Sequence, residues 1–311
     1  MPGKLNESQI RKTAIYLGLP ADFIRKDYFV TKAIRLLTGI EDDYFELIFQ
    51  GGTSLSKGYC LINRLSEDID FRVRLKDSAK KLGKDAKRRQ LRSFRYSLID
   101  ALVNGGFVIH PENVKVFYEG RYMSIRASFD GGGDLSYLKP HIAIDCFLGE
   151  LELEPQVKDI SSMVKVHLGD ESDHVFFPVA CVALDETAAE KWVALTRRVA
   201  GAGKKERDSD KHLVRHLYDL YQLSDKKCLS DKYYLVIEKV LQKEDAMFEL
   251  QATEANNLLS NSKLALQDLR SNEKWEEHWN FFLEQMVYHP DKPTFEQAMA
   301  VVEGLMPLSK H

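Results

Sequence analysis

The segment Phe49-Gln-Gly-Gly-Thr-Ser-Leu-Ser-Lys-Gly-Tyr59, followed by Arg64-Leu-Ser-Glu-Asp-Ile-Asp-Phe71, constrains this chain more than any other. An apolar run ends in a Gly-Gly turn, and a short helix-compatible stretch follows. Asp68 and Asp70 then alternate with Ile69 and Phe71. Successive side chains of a β-strand point to opposite faces, so the spacing predicts both carboxylates on one face and their apolar neighbours on the other. Two adjacent carboxylates are costly unless a cation neutralises them, and Mg²⁺ or Mn²⁺ with nucleotide phosphates is the usual occupant. Gly51 and Gly52 let backbone N–H groups approach a phosphate without obstruction from a Cβ, and a helix start behind them favours an anion. The pattern describes a site for a metal-bound nucleoside triphosphate. Asp68 and Asp70 are its metal ligands, and Gly51, Gly52, Thr53, Ser54 and Ser66 face its phosphates.

The order of these parts carries the reading, since an isolated Asp-x-Asp means little. Asp208/Asp210 and Glu150/Glu152 are comparable pairs with no assigned role. A P-loop requires Gly-x-x-x-x-Gly-Lys-Ser/Thr, which Gly51–Lys57 does not satisfy, and a Rossmann fingerprint is missing. The four cysteines (Cys60, Cys146, Cys181, Cys228) lack Cys-x-x-Cys spacing and read as thiols rather than zinc ligands or disulfides. His212 and His216 share i, i+4 spacing, but Leu213 stands where a zinc protease carries glutamate, so they read as two surface helix histidines.

The ordered motif resembles the signature of the DNA polymerase-β-like nucleotidyltransferase superfamily. More narrowly, Gly51-Gly-Thr-Ser-Leu-Ser-Lys-Gly-Tyr and Arg64-Leu-Ser-Glu-Asp-Ile-Asp resemble the AbiEii/AbiGii toxin family of abortive-infection and type IV toxin–antitoxin systems. Arg25-Lys-Asp-Tyr-Phe-Val-Thr31, Ala189-Glu-Lys-Trp-Val-Ala-Leu-Thr-Arg-Arg198 and Arg215-His-Leu-Tyr-Asp-Leu-Tyr221 fit the same family. One departure is His216, where many relatives carry aspartate. The resemblance implies Mg²⁺-dependent transfer of a nucleotide from an NTP to RNA, with tRNA 3′ ends as the acceptor. It implies toxicity in a bacterial cytoplasm, phage defence, and an antitoxin from an adjacent gene without direct contact. It also implies a third carboxylate on a later strand. Asp145, alone among Ile142-Ala-Ile and Cys146, is that candidate, because an unpaired carboxylate among apolar neighbours is costly to bury. Lys191 falls in a functional motif of the family and is expected to reach the triphosphate, with Arg215 and Asp219 pairing to orient it. Nucleotidylation of a protein and non-catalytic NTP binding remain as alternatives. A nuclease using Asp145 needs Glu-x-Lys shortly downstream, and 151–158 offers none.

The rest of the chain agrees with this class. It has 311 residues, 44% hydrophobic and 29% charged, enough for two domains of a globular protein. No apolar run has membrane-spanning length, and the N-terminus lacks signal-peptide character. The net charge of −3 argues against a protein that coats nucleic acid non-specifically. Locally, however, Arg72 to Arg95 is strongly basic, an approach surface for a polyanion such as tRNA or the triphosphate. Aromatic interleaving there is thin (Phe94, Tyr96), which speaks against stacking on bases.

Periodicity predicts helices over Glu7–Gly18 and Ala21–Leu37 (the second capped by Asp22) and Leu91–Asn104, and strands over Tyr44–Gln50, Phe107–His110, Val114–Tyr118, Tyr122–Phe129, Leu138–Phe147 and Val175–Leu184. A flexible break is expected at 130–134 and a mobile linker at 200–210. Thr187 and Glu190 have capping-box spacing at the start of an all-helical remainder. The expected architecture is α+β: a nucleotidyltransferase domain with a mixed sheet over 1–185, then a helical bundle over 186–311.

Overall fold

The computed structural model describes residues 6–130, 138–168, 176–202, 212–247 and 258–307. The chain divides into two compact units, one of Met1–Cys60 with Leu65–Val182, the other of Leu61–Arg64 with Ala183–His311.

The first unit is built on a seven-stranded mixed sheet. In chain order it runs α1 (Glu7–Leu17), α2 (Ala21–Thr38), β1 (Phe45–Gln50), α3 (Gly51–Lys57), β2 (Ile69–Leu75), α4 (Asp77–Lys80), α5 (Lys84–Asn104), β3 (Val114–Phe117), β4 (Tyr122–Ser128), β5 (His141–Leu148), β6 (Gln156–Ile160), α6 (Met163–Leu168) and β7 (Phe177–Cys181). The spatial order is β3-β4-β5-β2-β1-β7-β6. β1 pairs antiparallel with β2 and parallel with β7, and β2 pairs parallel with β5.

Alternation explains why the central strands form. Ile69, Phe71 and Val73 of β2 and Phe45, Leu47 and Phe49 of β1 enter one core with Val30, Ala33, Ile34 and Leu37 of α2 and Leu91, Phe94, Leu98 and Leu102 of α5. The helix residues recur at three- and four-residue steps, the period of one helical face. Phe49 and Phe71 are fully buried with ring centroids 5.5 Å apart, and each such burial is worth about 1.5–3 kcal/mol. One sheet face is thus covered by α2 and α5, which leaves the even-numbered residues of β1 and β2 on the other.

Several local expectations are corrected. Asp22 does not cap α2: Pro20 holds the N-cap position, and Asp22 accepts from Arg25 Nη1 at 2.9 Å. α5 begins at Lys84, seven residues before the expected Leu91, because its first two turns are charged and carry no apolar period. The expected strand at Phe107–His110 reduces to a single bridge between Val108 and Ser128. β6 carries no strand signal in the sequence, because it is an edge strand that buries only Ile160 and so shows little alternation. The expected break and the linker fall largely on 131–137 and 203–211, outside the described residues.

The second unit is helical: α7 (Leu184–Ala202), α8 (Val214–Asp225), α9 (Lys232–Met247), α10 (Leu258–Ser271), α11 (Glu273–Met286) and α12 (Phe295–Gly304). α7 packs against α8, α9 and α10, and α8 against α11 and α12. Trp192, Trp275 and Trp279 are fully buried here, and each indole N–H donates, to Val302 O (3.0 Å), Asp268 Oδ2 (3.0 Å) and Pro293 O (3.3 Å) respectively. A buried indole needs such an acceptor. Thr187 lies inside α7, donating its N–H to Ala183 O, so it cannot form the expected capping box. The capping box belongs to α12, between Thr294 and Gln297. Among the described residues no helix is long and apolar enough to cross a membrane.

Candidate active site

Strand registry assembles the site. Across β1, β2, β5, β4 and β3, the paired positions are Gln50, Asp70, Asp145, Ser124 and Lys115. Paired residues project to the same face, and neighbouring strands lie about 4.8 Å apart. Asp70 and Asp145, 75 positions apart in sequence, therefore stand side by side on the face opposite the α2/α5 core. Asp145 Oδ1 is buried with no hydrogen-bond partner among the described residues, as is Gln50 Oε1. The Tyr122 hydroxyl lies against the Asp145 carboxylate; burial, and then that negative charge, raise its pKa.

Gly51 begins α3 at φ 79, and a Cβ there would sit 2.3 Å from Asp70 Oδ2. Only glycine satisfies both the left-handed backbone and the close approach of the carboxylate. Gly51→Ala is accordingly expected to displace Asp70 and to lower nucleotidyl transfer by at least about tenfold, in line with the cost of a misplaced reacting group. Steady-state transfer rates check this, and full activity in that variant would show the contact to be unimportant.

The hydroxyl side chains of the turn point inward. Thr53 and Ser54 are each 1% exposed. Thr53 Oγ1 lies 2.7 Å from Ser66 Oγ and makes a short hydrogen bond to the Asp68 carbonyl, while Ser54 lies beside the Cys181 thiol. Thr53 and Ser66 thus knit the turn to the segment entering β2, while Ser54 faces β7.

Asp68 precedes β2 rather than lying in it. Lys139 Nζ binds its carboxylate at 2.9 Å (Oδ1) and 3.2 Å (Oδ2). Lys139 also donates its backbone N–H to Glu67 Oε2 at 3.1 Å, and its carbonyl accepts from Lys26 Nζ at 2.6 Å. Lys26, 1% exposed, makes a short salt bridge to Glu67; burial lowers its pKa, against the Glu67 hydrogen bond and charge. The adjacent Asp27 binds Lys57 at the end of α3 (2.5 Å) and accepts from Met163 N (2.8 Å). α2 therefore clamps both ends of the motif. In the sequence Arg25-Lys-Asp is marked only by its family resemblance, and Lys139 carries no signal.

Among the described residues no three His, Cys, Asp or Glu side chains stand close enough to hold a metal ion as they are. Two members of the expected set, Asp70 and Asp145, are in register, and the third, Asp68, is engaged by Lys139. The donors are all hard oxygens, which suits Mg²⁺ or Mn²⁺, and the orphaned Asp145 Oδ1 lacks the positive partner such an ion supplies.

Lys191 belongs to the helical unit, where it is buried. Its Nζ lies 2.7 Å from Asp219 Oδ2, and Arg64 Nε and Nη2 bind the same carboxylate at 2.7 and 2.8 Å. Asp219 is fully buried. Burial alone would raise its pKa, but Arg64 and Lys191 outweigh that and hold it far below the usual carboxylate range. The sequence expected Arg215 as the partner of Asp219; the ion pairs found are with Arg64 and Lys191. His212 is exposed, whereas His216 is partly buried with its Nδ1 enclosed, so the expected pair of surface histidines holds for the first only.

A mixed sheet with a glycine-opened helix after its central strand, and carboxylates in register on the next two strands, is the architecture of a nucleotidyltransferase. The chain belongs to the family of AbiEii nucleotidyl transferase toxins of type IV toxin–antitoxin systems, whose model matches residues 35–301. A comparison with curated proteins finds no match. Among solved structures it is similar to MenT4, a nucleotidyltransferase toxin from Mycobacterium tuberculosis, with 19% identity and a TM-score of 0.51 over 97% of this chain and 98% of that one. At that identity the likeness concerns the fold.

Proposed function

We propose that this toxin transfers a nucleotide from an NTP to a hydroxyl of RNA, with tRNA as the acceptor class, in a Mg²⁺-dependent reaction centred on Asp70 and Asp145. The observation that carries the reading is the registry of these two carboxylates with an unpartnered, buried Asp145 Oδ1. Asp70 and Asp145 would hold the metal, with Asp68 joining them when Lys139 releases it. When bound, Mg²⁺ would neutralise the carboxylates and the phosphate charge.

The remaining chemistry falls to the chain itself. The first N–H groups of α3 have no acceptor within the helix and supply donors for phosphate oxygens at Gly51 and Gly52. Thr53, Ser54 and Ser66 hold that turn in shape rather than touching the triphosphate through their hydroxyls. The acceptor hydroxyl attacks the α-phosphorus in line; its oxygen–phosphorus bond forms as the bond to the β-phosphate bridge breaks, and pyrophosphate leaves. Asp145 accepts the hydroxyl hydrogen bond and takes the proton. Positioning and charge neutralisation dominate such a reaction. Lys191 is read as part of the buried pair with Asp219, which supports the helical unit.

Acting as the toxin of a type IV system, the protein would arrest bacterial growth from the cytoplasm, and its antitoxin would counter it without direct contact. Incubation with each α-labelled NTP, Mg²⁺ and total RNA tests the acceptor. Label in RNA is expected; label on protein would replace RNA by a protein hydroxyl, and release of nucleotides from RNA would replace transfer by nuclease action. Induced expression should arrest growth in the wild type and not in Asp70→Asn, and equal arrest by both would detach toxicity from this chemistry.

A further inference from the structure

Arg88, Arg92 and Arg95 of α5 converge with Phe117, Tyr118 and Gly120 around a concave surface of about 210 Å³. Their i, i+4, i+7 spacing places the arginines on one helical face. Arg88 and Arg92 are exposed and form no ion pair among the described residues. Arg95 is half-buried and donates to Gly120 O at 2.8 Å. A Cβ at Gly120 would come within 2.2 Å of Arg95 Nη1, so the β3–β4 turn folds directly onto the guanidinium. Burial, and then the neighbouring Arg92 and Arg88, lower the Arg95 pKa. Glu119 is the sole acid lining the concavity, which therefore carries a net positive charge facing solvent.

The aromatic side is equally open. Phe117 is 47% and Tyr118 63% exposed. Tyr118 and Glu119 both adopt positive φ (53 and 55), a conformation that side-chain-bearing residues rarely hold and that clusters at binding sites. Strand registry continues Phe117 into Tyr122, Phe147 and Arg72, on the same face as the carboxylate row and two residues along from it. Phe117 and Tyr122 rings are 5.9 Å apart, and the Arg72 guanidinium sits 5.5 Å over the Phe147 ring. A rank of aromatic and guanidinium planes thus leads from the arginine concavity to Asp145 and Asp70.

The geometry points to this surface as a docking site for a single-stranded nucleic acid: phosphates at Arg88, Arg92 and Arg95, unpaired bases on Phe117 and Tyr118, and the strand end running along Tyr122 and Phe147 to the carboxylates. Exposed rings beside a cationic groove are the elements by which proteins hold single strands, because every base has a stacking face while a duplex hides it. The inference rests on transfer to RNA as the proposed function and gives the acceptor its route.

Fluorescence anisotropy of the full chain with a labelled single-stranded RNA of about twelve nucleotides, and with the matching duplex, tests it. The single strand should bind more tightly than the duplex. Arg88→Ala/Arg92→Ala should weaken binding at least tenfold near 0.1 M salt and flatten the salt dependence of log Kd by about 1.4, two phosphates at roughly 0.7 each. Phe117→Ala/Tyr118→Ala should weaken binding at least tenfold with the salt slope unchanged. All four side chains are exposed, so the fold should tolerate both changes, and thermal melts verify this. Wild-type affinity in either folded variant, or tighter binding of the duplex, overturns the assignment. Variants that bind normally while wild type labels RNA remove the surface and leave the transferase reading; variants that lose binding while wild type labels no RNA do the reverse.

Discussion

Asp70→Asn and Asp145→Asn are each expected to lower nucleotidyl transfer by about 10²–10³-fold or more while leaving the fold intact. Both substitutions keep side-chain shape and remove one negative charge from a pair in register on adjacent strands. The loss is of the size measured when a single preorganised electrostatic partner of a reacting group is deleted. Stability should move the other way, or not at all. Two neighbouring carboxylates repel, so neutralising one relieves the folded state in the absence of metal. Thermal melts in chelator and initial rates in Mg²⁺ separate the two effects. A rate loss accompanied by a collapse of the melting temperature would mean that these aspartates serve the fold. Asp68→Asn belongs to the same group, with one difference: it also releases Lys139, whose ammonium is bound to that carboxylate.

The largest stability effect is expected in the helical unit. Asp219→Asn leaves Arg64 and Lys191 buried without their counter-charge. Breaking a buried ion pair from one side costs about 3–5 kcal/mol, which in a unit of this size lowers the melting temperature by roughly 10–20 °C. Lys191→Met should cost less, because Asp219 keeps two hydrogen bonds from Arg64. The pH dependence follows from the depressed Asp219 pKa. The contribution is complete above the ordinary aspartate value of about 3.9 and is lost only as pH falls through the much lower native value. The difference between wild type and Asp219→Asn should therefore be constant from pH 5 to 8 and shrink in stronger acid. A difference already vanishing at pH 6 would contradict the buried-pair reading. Nucleotide affinity in folded Lys191→Met decides the role of that lysine: unchanged binding agrees with the Asp219 pair, whereas a tenfold loss would restore a phosphate contact.

Much of the site was legible because it is local. The Gly-Gly turn, the spacing of Asp68 and Asp70, and the lone carboxylate of Asp145 all lie within short windows where strand alternation and glycine chemistry act directly. The registry that sets Asp70 beside Asp145 is not legible, since it depends on β2 pairing parallel with β5 across two intervening helices and a hairpin. Lys139 was missed because a loop lysine has no periodic signature; only the fold brings it to Asp68. The same holds for Arg64, which meets Asp219 across 155 positions, and for Phe117 and Tyr118, which stand beside the α5 arginines although the basic run itself contains few aromatics. Local propensity misjudged β6 for a related reason. An edge strand that buries one side chain is specified by its neighbour β7 rather than by its own pattern.

Attack at the α-phosphorus distinguishes nucleotidyl transfer from hydrolysis, and a doubly labelled NTP reads this directly. With RNA and Mg²⁺ present, the α-label should appear in RNA and the γ-label in pyrophosphate in equal amounts. Asp70→Asn and Asp145→Asn should yield neither product. Release of the γ-label as inorganic phosphate with no α-label in any acceptor, or equal yields from wild type and both aspartate variants, would contradict a nucleotidyltransferase centred on these two carboxylates.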